Sequence, residues 1–391
     1  MLNIFIYCLT LILIFSKSIN TEITIDEAYS FLNYSYTGDF LNIGIANNHI
    51  FNSFLVWLST YLGVSEFFIR LPNLIFGTLY VYFVSHFSKN NNYSIIISLI
   101  LILNPYLIDF FTLSRGYGIS ASLLFIASYL YTKESNNNLI LPLFLLSISS
   151  FTIHTTIIFL ILFWIINLKK IFKDHNKITF LVLNVYLIVV SLITIYLLFL
   201  ITAEKKPLYG IEDVSIINLF IDSFGLNGLY ASKQNWFGFL INFLFLLPII
   251  FYRHFTPRFK NLFFTSYLSL MLLFIVPYIF DKPYPLLRIL LPFLPPILIL
   301  IAESISILQT KIKSQFFYIL LVPINIALVF NFFSVVELNQ SIDWKDGLTK
   351  EEILETTESS CSYVLIYEGL DYVGHYYRFT AEDLAKNECE K

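Results

Sequence analysis

The chain has 391 residues, of which 57% are hydrophobic, 18% aromatic and only 13% charged. Together with a mean hydropathy of +0.73, this composition excludes an ordinary water-soluble domain, in which about a quarter of the residues are charged. The net charge of −3 says little by itself, because in a membrane protein the placement of charge matters more than its sum. The lack of a basic stripe with interleaved aromatics argues against a nucleic-acid partner.

Long apolar runs recur along the chain, and runs of about 17–25 residues are typical of membrane-spanning helices. The sequence therefore predicts an α-helical multi-pass membrane protein with about eleven spans, formed by residues 1–336, and a small C-terminal tail at 337–391. The predicted spans are 2–19, 70–88, 94–112, 117–132, 139–153, 155–169, 178–201, 237–252, 261–280, 287–307 and 315–336.

The first apolar run has two interpretations. It is short enough to be the core of a signal peptide, but it lacks a basic start and no small-residue cleavage site follows it. We favour an uncleaved first span. Either interpretation leaves Asp26 outside the cytoplasm.

Lys and Arg concentrate in cytoplasmic loops of membrane proteins, so their positions predict the orientation. With the N-terminus inside, eleven of the 24 cations fall in short cytoplasmic connections, which hold only the acids Glu134 and Asp174. These cations are Lys89, Lys133, Lys169, Lys170, Lys173, Lys177, Arg253, Arg258, Lys260, Lys311 and Lys313. An odd number of spans then places the C-terminal tail outside.

Two further features lie in the predicted outer segments. The apolar stretch 51–62 is too short to span a bilayer and predicts an interfacial helix, with Trp57 and Tyr61 at headgroup level. The tail combines a charged helical stretch with the strand-like run "SYVLIYEG", which predicts a small extracytoplasmic α/β unit. A Cys361–Cys389 disulfide in that unit is left open.

Two adjacent acids, Asp26 and Glu27, follow the first span in "TIDEAYS". Thr24 and Glu27 have the spacing of a capping box, in which a threonine caps the helix and a glutamate three residues later bonds back to it. Asp26 would then lie in the first turn, where the helix dipole favours an acid. Both acids are also candidates for catalysis, and Glu27 can cap while Asp26 acts as a base.

The segment "NPYLIDFFTLSRGYG" contributes Asp109, Arg115 and Tyr117 at the predicted outer membrane edge, where ionisable groups are costly and are usually functional or paired. A structural Asp109–Arg115 ion pair is one interpretation. The other is that Arg115 binds phosphate oxygens with its forked guanidinium group.

Three more candidates lie on the predicted outer side. His49 and His154 are either structural or hydrogen-bond donors to a phosphate or a sugar hydroxyl. Arg288 begins "RILLPFLPP", in which the prolines break the helix. This arginine either extends to lipid headgroups or binds phosphate. A carboxylate base beside several cations suits transfer from a lipid-phosphate carrier.

The order of these motifs resembles the GT-C superfamily of membrane glycosyltransferases, such as protein O-mannosyltransferases and aminoarabinose transferases. "DEAYS" resembles the family's acidic motif, and the stretch 47–77 is similar to its H-P-L…G-x-S-E…R-L-P-S…G pattern. "SRGYG", "IHT" and "RILLPFLPP" resemble later family elements. Ile50 and Ile289 stand where the family pattern has proline and tyrosine.

The resemblance implies an inverting glycosyltransferase of a bacterial inner membrane that takes a sugar from a polyprenyl-phosphate carrier to a lipid, glycan or protein acceptor on the extracytoplasmic face. Asp26 carries over as the catalytic base. Glu27, Asp109, Arg115, His154 and Arg288 carry over as helpers or phosphate contacts. Some members use a divalent metal near the acids, so a metal beside Asp26 is left open.

Two other hypotheses remain. A lipid-linked sugar flippase or transporter predicts charges at mid-depth of the bilayer and repeated broken helices. A structural membrane component would leave the shared outer position of Asp26, Arg115 and Arg288 without an explanation.

Overall fold

A computed structural model describes residues 2–41, 48–89, 94–133, 139–174, 176–203, 210–211, 230, 235–279, 284–285, 287–312 and 314–338. The helices are α1 (Leu2–Asn20), α2 (Ile25–Ser30), α3 (Ile50–Thr60), α4 (Glu66–Lys89), α5 (Ser94–Ile102), α6 (Pro105–Thr112), α7 (Gly116–Thr132), α8 (Ile140–Thr152), α9 (Ile157–Asp174), α10 (Lys177–Ala203), α11 (Asn235–Phe251), α12 (Pro257–Ile279), α13 (Leu287–Leu290), α14 (Leu294–Lys311) and α15 (Ser314–Val335). A π-helical turn, Phe31–Ser35, continues α2. Short 3₁₀ turns occupy His154–Thr156, Tyr252–His254 and Leu291–Phe293.

Each predicted span falls on helical residues where the structure describes it, apart from single end residues and a break within 94–112. By length and composition, seven described helices can cross a membrane, or eight if the bent pair α5–α6 forms one span. The chain is thus a helical protein with the apolar helices of a membrane-embedded one. The total of about eleven spans and the direction of the chain across the membrane stay predictions.

The outer surface of α10 is apolar, which is the reverse of a water-soluble helix. Ile178, Leu181, Val185, Ile188 and Leu192 follow one another at helical spacing, and each is between 45% and 75% exposed. Large exposed apolar surfaces are rare on soluble monomers. A face of this kind is stable against lipid, where an apolar side chain loses nothing by exposure.

The predicted span 94–112 is not one continuous helix. It breaks between α5 and α6, which meet at an angle of 61°. Pro105 causes the break, because it lacks an N–H and disfavours helical backbone in the residue before it. Asn104 then caps α6 by accepting a 2.7 Å hydrogen bond from the Leu107 N–H. The bend directs the end of α6 towards the segment that carries Arg115.

The central helix α7 is buried along nearly its whole length and packs against α4, α6, α8 and α14. Small residues make this close approach feasible, as in many membrane bundles. The Ser120 and Ser149 hydroxyls join α7 to α8 at 2.5 Å, and Ser122 donates to the Phe76 carbonyl of α4 at 2.9 Å. Because α7 begins beside Arg115, its packing fixes that arginine.

Two strands of two residues each pair with one another: β1 (Gly210–Ile211) follows α10, and β2 (Tyr284–Pro285) lies just before α13. Gly210 pairs with Pro285, and Ile211 with Tyr284, in an antiparallel register. The predicted interfacial helix is present as α3, although its place at the membrane surface stays a prediction. Most of the predicted tail, residues 339–391 with both of its cysteines, lies outside the described residues.

The glycine at 118 gives a test of this packing. A Cβ placed there would lie 2.2 Å from the backbone carbonyl oxygen of Phe110, whereas a Cβ at Gly77 would meet only the Phe111 side chain, at 2.9 Å. We expect Gly118→Ala to cost about 1–3 kcal/mol, because the backbone of α6 cannot move aside. Thermal unfolding of the purified protein should show a larger loss for Gly118→Ala than for the control Gly77→Ala, and the reverse order would contradict this packing.

Candidate active site

Arg70, near the start of α4, is the most completely bonded side chain near the candidate site. It is fully buried, and it grips the Glu27 carboxylate with two hydrogen bonds of 2.9 and 2.8 Å. Its remaining N–H groups donate to the backbone carbonyls of Ser18 and Thr21, at 2.8 and 2.6 Å, and of Glu22, at 2.8 Å. All five donors of the guanidinium group are therefore used. Arg70 thus fixes the chain between α1 and α2.

Glu27 completes this arrangement from the start of α2. The predicted capping box is confirmed: the Thr24 hydroxyl accepts from the Glu27 N–H, and the Glu27 side chain accepts from the Thr24 N–H at 3.0 Å. The Ser114 N–H also donates to Glu27, at 2.5 Å. Burial by itself would raise the pKa of Glu27, but the charge of Arg70 and these hydrogen bonds outweigh burial and lower the pKa below its ordinary value.

Asp26, the residue before Glu27, has different partners, Arg115 and Arg288. Its carboxylate oxygen Oδ2 lies 3.2 Å from Arg115 Nη2 and 3.3 Å from Arg288 Nη1. Arg115 also donates to the Asp26 backbone carbonyl, at 3.1 Å, and to the Ser30 hydroxyl, at 3.0 Å. The Arg115 side chain is fully buried, whereas those of Asp26 and Arg288 are 17% and 18% exposed. Asp26 and Arg288 are therefore accessible to solvent, whereas Arg115 is not.

His49 and Tyr117 lie beside these arginines. The two rings meet edge to face at 4.8 Å, and the Arg115 guanidinium carbon lies 6.0 Å from the Tyr117 ring centre. Gly116 permits this approach, because a Cβ there would lie 2.9 Å from His49 Cβ and 2.9 Å from Thr152 Cγ2. Tyr117 and Gly116 thus hold the imidazole against the start of α7.

Burial lowers the pKa of His49 well below its ordinary value. The positive charges of Arg115 and Arg288 and the neighbouring imidazole of His154 lower this pKa further, while a hydrogen bond to the backbone of Thr152 acts in the opposite direction. His154 itself is buried in the 3₁₀ turn before α9, and its Nδ1 lies 3.3 Å from the Ser150 carbonyl oxygen. His154 is therefore close to His49, which in turn lies close to the arginines.

Asp109 is held in a different ion pair. Its carboxylate lies 3.1 Å from the Lys17 ammonium group, and both side chains are fully buried. Lys17 also donates to the Glu337 backbone carbonyl, at 2.6 Å. The ion pairs in the described residues thus join Asp109 to Lys17 and Arg115 to Asp26, instead of the Asp109–Arg115 pair considered from the sequence.

The structure brings most of the predicted site residues together. Asp26, Arg115 and Arg288 are in direct contact, and His49, Tyr117 and His154 lie around them. Glu27 is adjacent, with its oxygens bound to Arg70, Thr24 and Ser114. The catalytic role expected for Glu27 stays a prediction, and its geometry suits a positioning role.

Sequence reasoning assigned no role to Arg70, Lys17 or Ser30. The sequence could have indicated a paired role for Arg70 and Lys17, because each is a lone cation at the end of an apolar run, where an unpaired charge is costly. It gave no such indication for Ser30, since only the turn of α2 directs its hydroxyl to Arg115.

A divalent metal beside Asp26 does not fit this geometry well. Its Oδ2 is shared by two guanidinium groups, whose positive charge opposes a cation at the same oxygen. Among the described residues no three His, Cys, Asp or Glu side chains are grouped closely enough to hold a metal. The metal stays an untested prediction, and no step below depends on it.

Comparison of the chain with known protein families, curated proteins and solved structures finds no match. The GT-C resemblance therefore stays a prediction that rests on the sequence motifs.

The two adjacent acids should respond differently to the same chemical change. We expect Glu27→Gln to destabilise the protein by about 3–5 kcal/mol, because it leaves the buried Arg70 without its counter-charge. Asp26→Asn should cost clearly less, since Asp26 is partly exposed and Arg115 keeps its hydrogen bonds to the backbone carbonyl at 26 and to Ser30. Thermal unfolding of both variants in one detergent measures the difference, and equal losses would contradict the assignment.

Proposed function

We propose that this protein is an inverting glycosyltransferase that takes a sugar from a polyprenyl-phosphate carrier, with Asp26 as the general base. The observation that carries the proposal is a partly exposed carboxylate in contact with two arginines, one buried and one accessible. The sequence motifs that resemble GT-C transferases fall on these same residues. The lipid carrier agrees with the apolar helices around them.

In the proposed step, a hydroxyl of the acceptor attacks the anomeric carbon of the sugar, and its proton passes to the Asp26 carboxylate. The new carbon–oxygen bond replaces the bond to phosphate, and that electron pair leaves on the polyprenyl phosphate. The guanidinium groups of Arg115 and Arg288 stabilise the charge that develops on the leaving oxygen.

Arg115 and Arg288 have different roles in this step because Arg115 is buried and Arg288 is partly exposed. Arg115 is anchored on Ser30 and on the Asp26 backbone, so it stays in place and orients the carboxylate. Arg288 is the second residue of the short helix α13 and is partly exposed, so it can exchange the carboxylate for an incoming phosphate. This exchange would release one oxygen of Asp26 for the acceptor proton.

We expect Asp26→Asn to lower transfer by about 10²–10⁴-fold while the protein still folds, because an amide cannot take up the proton. The assay uses the purified protein in vesicles with a panel of polyprenyl-phosphate sugars and a membrane extract as the source of acceptor. The matched control is Asp39→Asn, an exposed acid on the same outer segment. Full activity of Asp26→Asn would exclude the role as base.

Arg288→Gln should raise the KM for the carrier-linked sugar and weaken inhibition by free polyprenyl phosphate, each by roughly tenfold. Charge-assisted hydrogen bonds contribute about 1.5–3 kcal/mol, which supports an effect of this size. Arg253→Gln is the control, because Arg253 is an exposed arginine in the turn after α11. Unchanged affinity in Arg288→Gln would show that this arginine does not contact the phosphate.

A flippase or transporter without transferase activity is the second hypothesis. The buried Lys17–Asp109 pair is the kind of intramembrane charge that it predicts, but Lys17 lies in the last turn of α1, near the end of that helix. The same vesicles separate the two hypotheses. Translocation of the carrier-linked sugar without product would favour the transporter, and product formation would favour the transferase.

A further inference from the structure

Two ring nitrogens near the arginines have no role in the step above. His49 and His154 are 7% and 8% exposed, and the Nε2 atom of each is buried. Within the described part of the chain, neither Nε2 has a hydrogen-bond partner. A buried polar atom without a partner destabilises a protein, so two of them at one site require an explanation.

The opposite nitrogen of His154 shows which hydrogen-bonding role Nε2 has. Its Nδ1 lies 3.3 Å from the Ser150 carbonyl oxygen, and a carbonyl oxygen can only accept. Nδ1 therefore carries the proton. In a neutral imidazole the other nitrogen is then an acceptor with a lone pair, and a buried imidazole favours the neutral form.

His49 has the same arrangement. The Thr152 backbone acts to raise the pKa of His49, as an acceptor of a ring N–H does, and we assign this N–H to Nδ1 because Nε2 has no partner. The positive charges of Arg115 and Arg288 also favour the neutral ring. Each histidine thus offers a lone pair on Nε2, whereas the sequence had suggested a donor.

The lone pair on each Nε2 accepts a hydrogen bond from a donor and disfavours another acceptor. It repels the oxygens of a phosphate, which are acceptors themselves, and it attracts the O–H of a hydroxyl group. A metal cation is the other partner of neutral imidazoles, but Arg115 and Arg288 lie close enough to repel it. A hydroxyl-bearing group next to the phosphate is therefore the ligand that fits.

We infer that His49 and His154 form a hydroxyl-accepting subsite for the sugar of the carrier, while Arg115 and Arg288 bind its phosphate. This inference rests on the proposed function for the identity of the sugar, but the protonation of the rings does not depend on it. Substrate selection then follows from two neighbouring sets of groups with opposite hydrogen-bonding character.

The first experiment tests the rings alone. The purified full chain is labelled with ¹⁵N-histidine, and His49→Gln and His154→Gln assign two of the six histidine signals. Both rings should be neutral with the proton on Nδ1. A proton on Nε2 of either ring overturns the inference, and so does a shift of both Nε2 signals that chelators reverse, because it would indicate a bound metal.

The second experiment tests the ligand by binding to the protein in nanodiscs. The probes are polyprenyl phosphate and the same lipid carrying a hexose. We expect His49→Leu and His154→Leu each to weaken binding of the hexose-linked lipid about fivefold to tenfold, the worth of one hydrogen bond. Binding of the lipid without sugar should change less than about twofold. Gln in place of either histidine should restore part of the affinity, since its amide oxygen can accept.

His86→Leu is the control, because the Nδ1 of His86 also contacts a carbonyl four residues earlier but lies near the other end of α4. Equal losses for both lipids in the His49 and His154 variants would overturn the inference, since the histidines would then bind phosphate. Binding of neither lipid to the wild-type protein would instead refute the proposed function. That result would also overturn the sugar subsite, and the labelling experiment would still show which ring nitrogen of His49 and His154 carries the proton.

Discussion

The buried pair between Glu27 and Arg70 is the interaction on which the rest of the site depends. Burying two charges costs several kcal/mol for each ion, and attraction repays this only when the remaining hydrogen-bonding groups are satisfied. Here the carboxylate accepts from Arg70, Thr24 and Ser114, and the remaining donors of Arg70 bind backbone carbonyls in the last turn of α1 and just after it. This pair therefore joins the end of α1, the starts of α2 and α4, and the turn before α7.

The adjacent acids differ because of helix geometry. Successive residues of a helix point about 100° apart. Glu27 therefore faces the buried Arg70, while Asp26 faces Arg115 and Arg288. The two carboxylates therefore have different roles. Glu27 is fixed by its partners, and Asp26 keeps contact with solvent through a side chain that is 17% exposed. The capping box sets the rotation of α2 and so decides which acid faces which side.

Polar and apolar parts of the molecule also have separate tasks. The outward face of α10 is apolar, and the polar side chains of α7 point towards neighbouring helices and shorten the distances between them. Around the site, arginines supply positive charge and the histidines supply lone pairs. A ligand that carries a phosphate beside hydroxyl groups matches both, and an apolar chain on that ligand matches the surface of the bundle.

The sequence by itself determined the helical class and the capping box, because these depend on local hydropathy and on residues three or four apart. It also placed Asp26, Arg115 and Arg288 on one side. Only the tertiary structure decided their partners. Arg115 pairs with Asp26 instead of Asp109, Arg70 holds Glu27, and Pro105 splits a run that hydropathy reads as continuous. Such pairings join residues 43 to 262 positions apart in the chain, and no local pattern encodes them, because the close packing of the helices alone sets which buried charges meet.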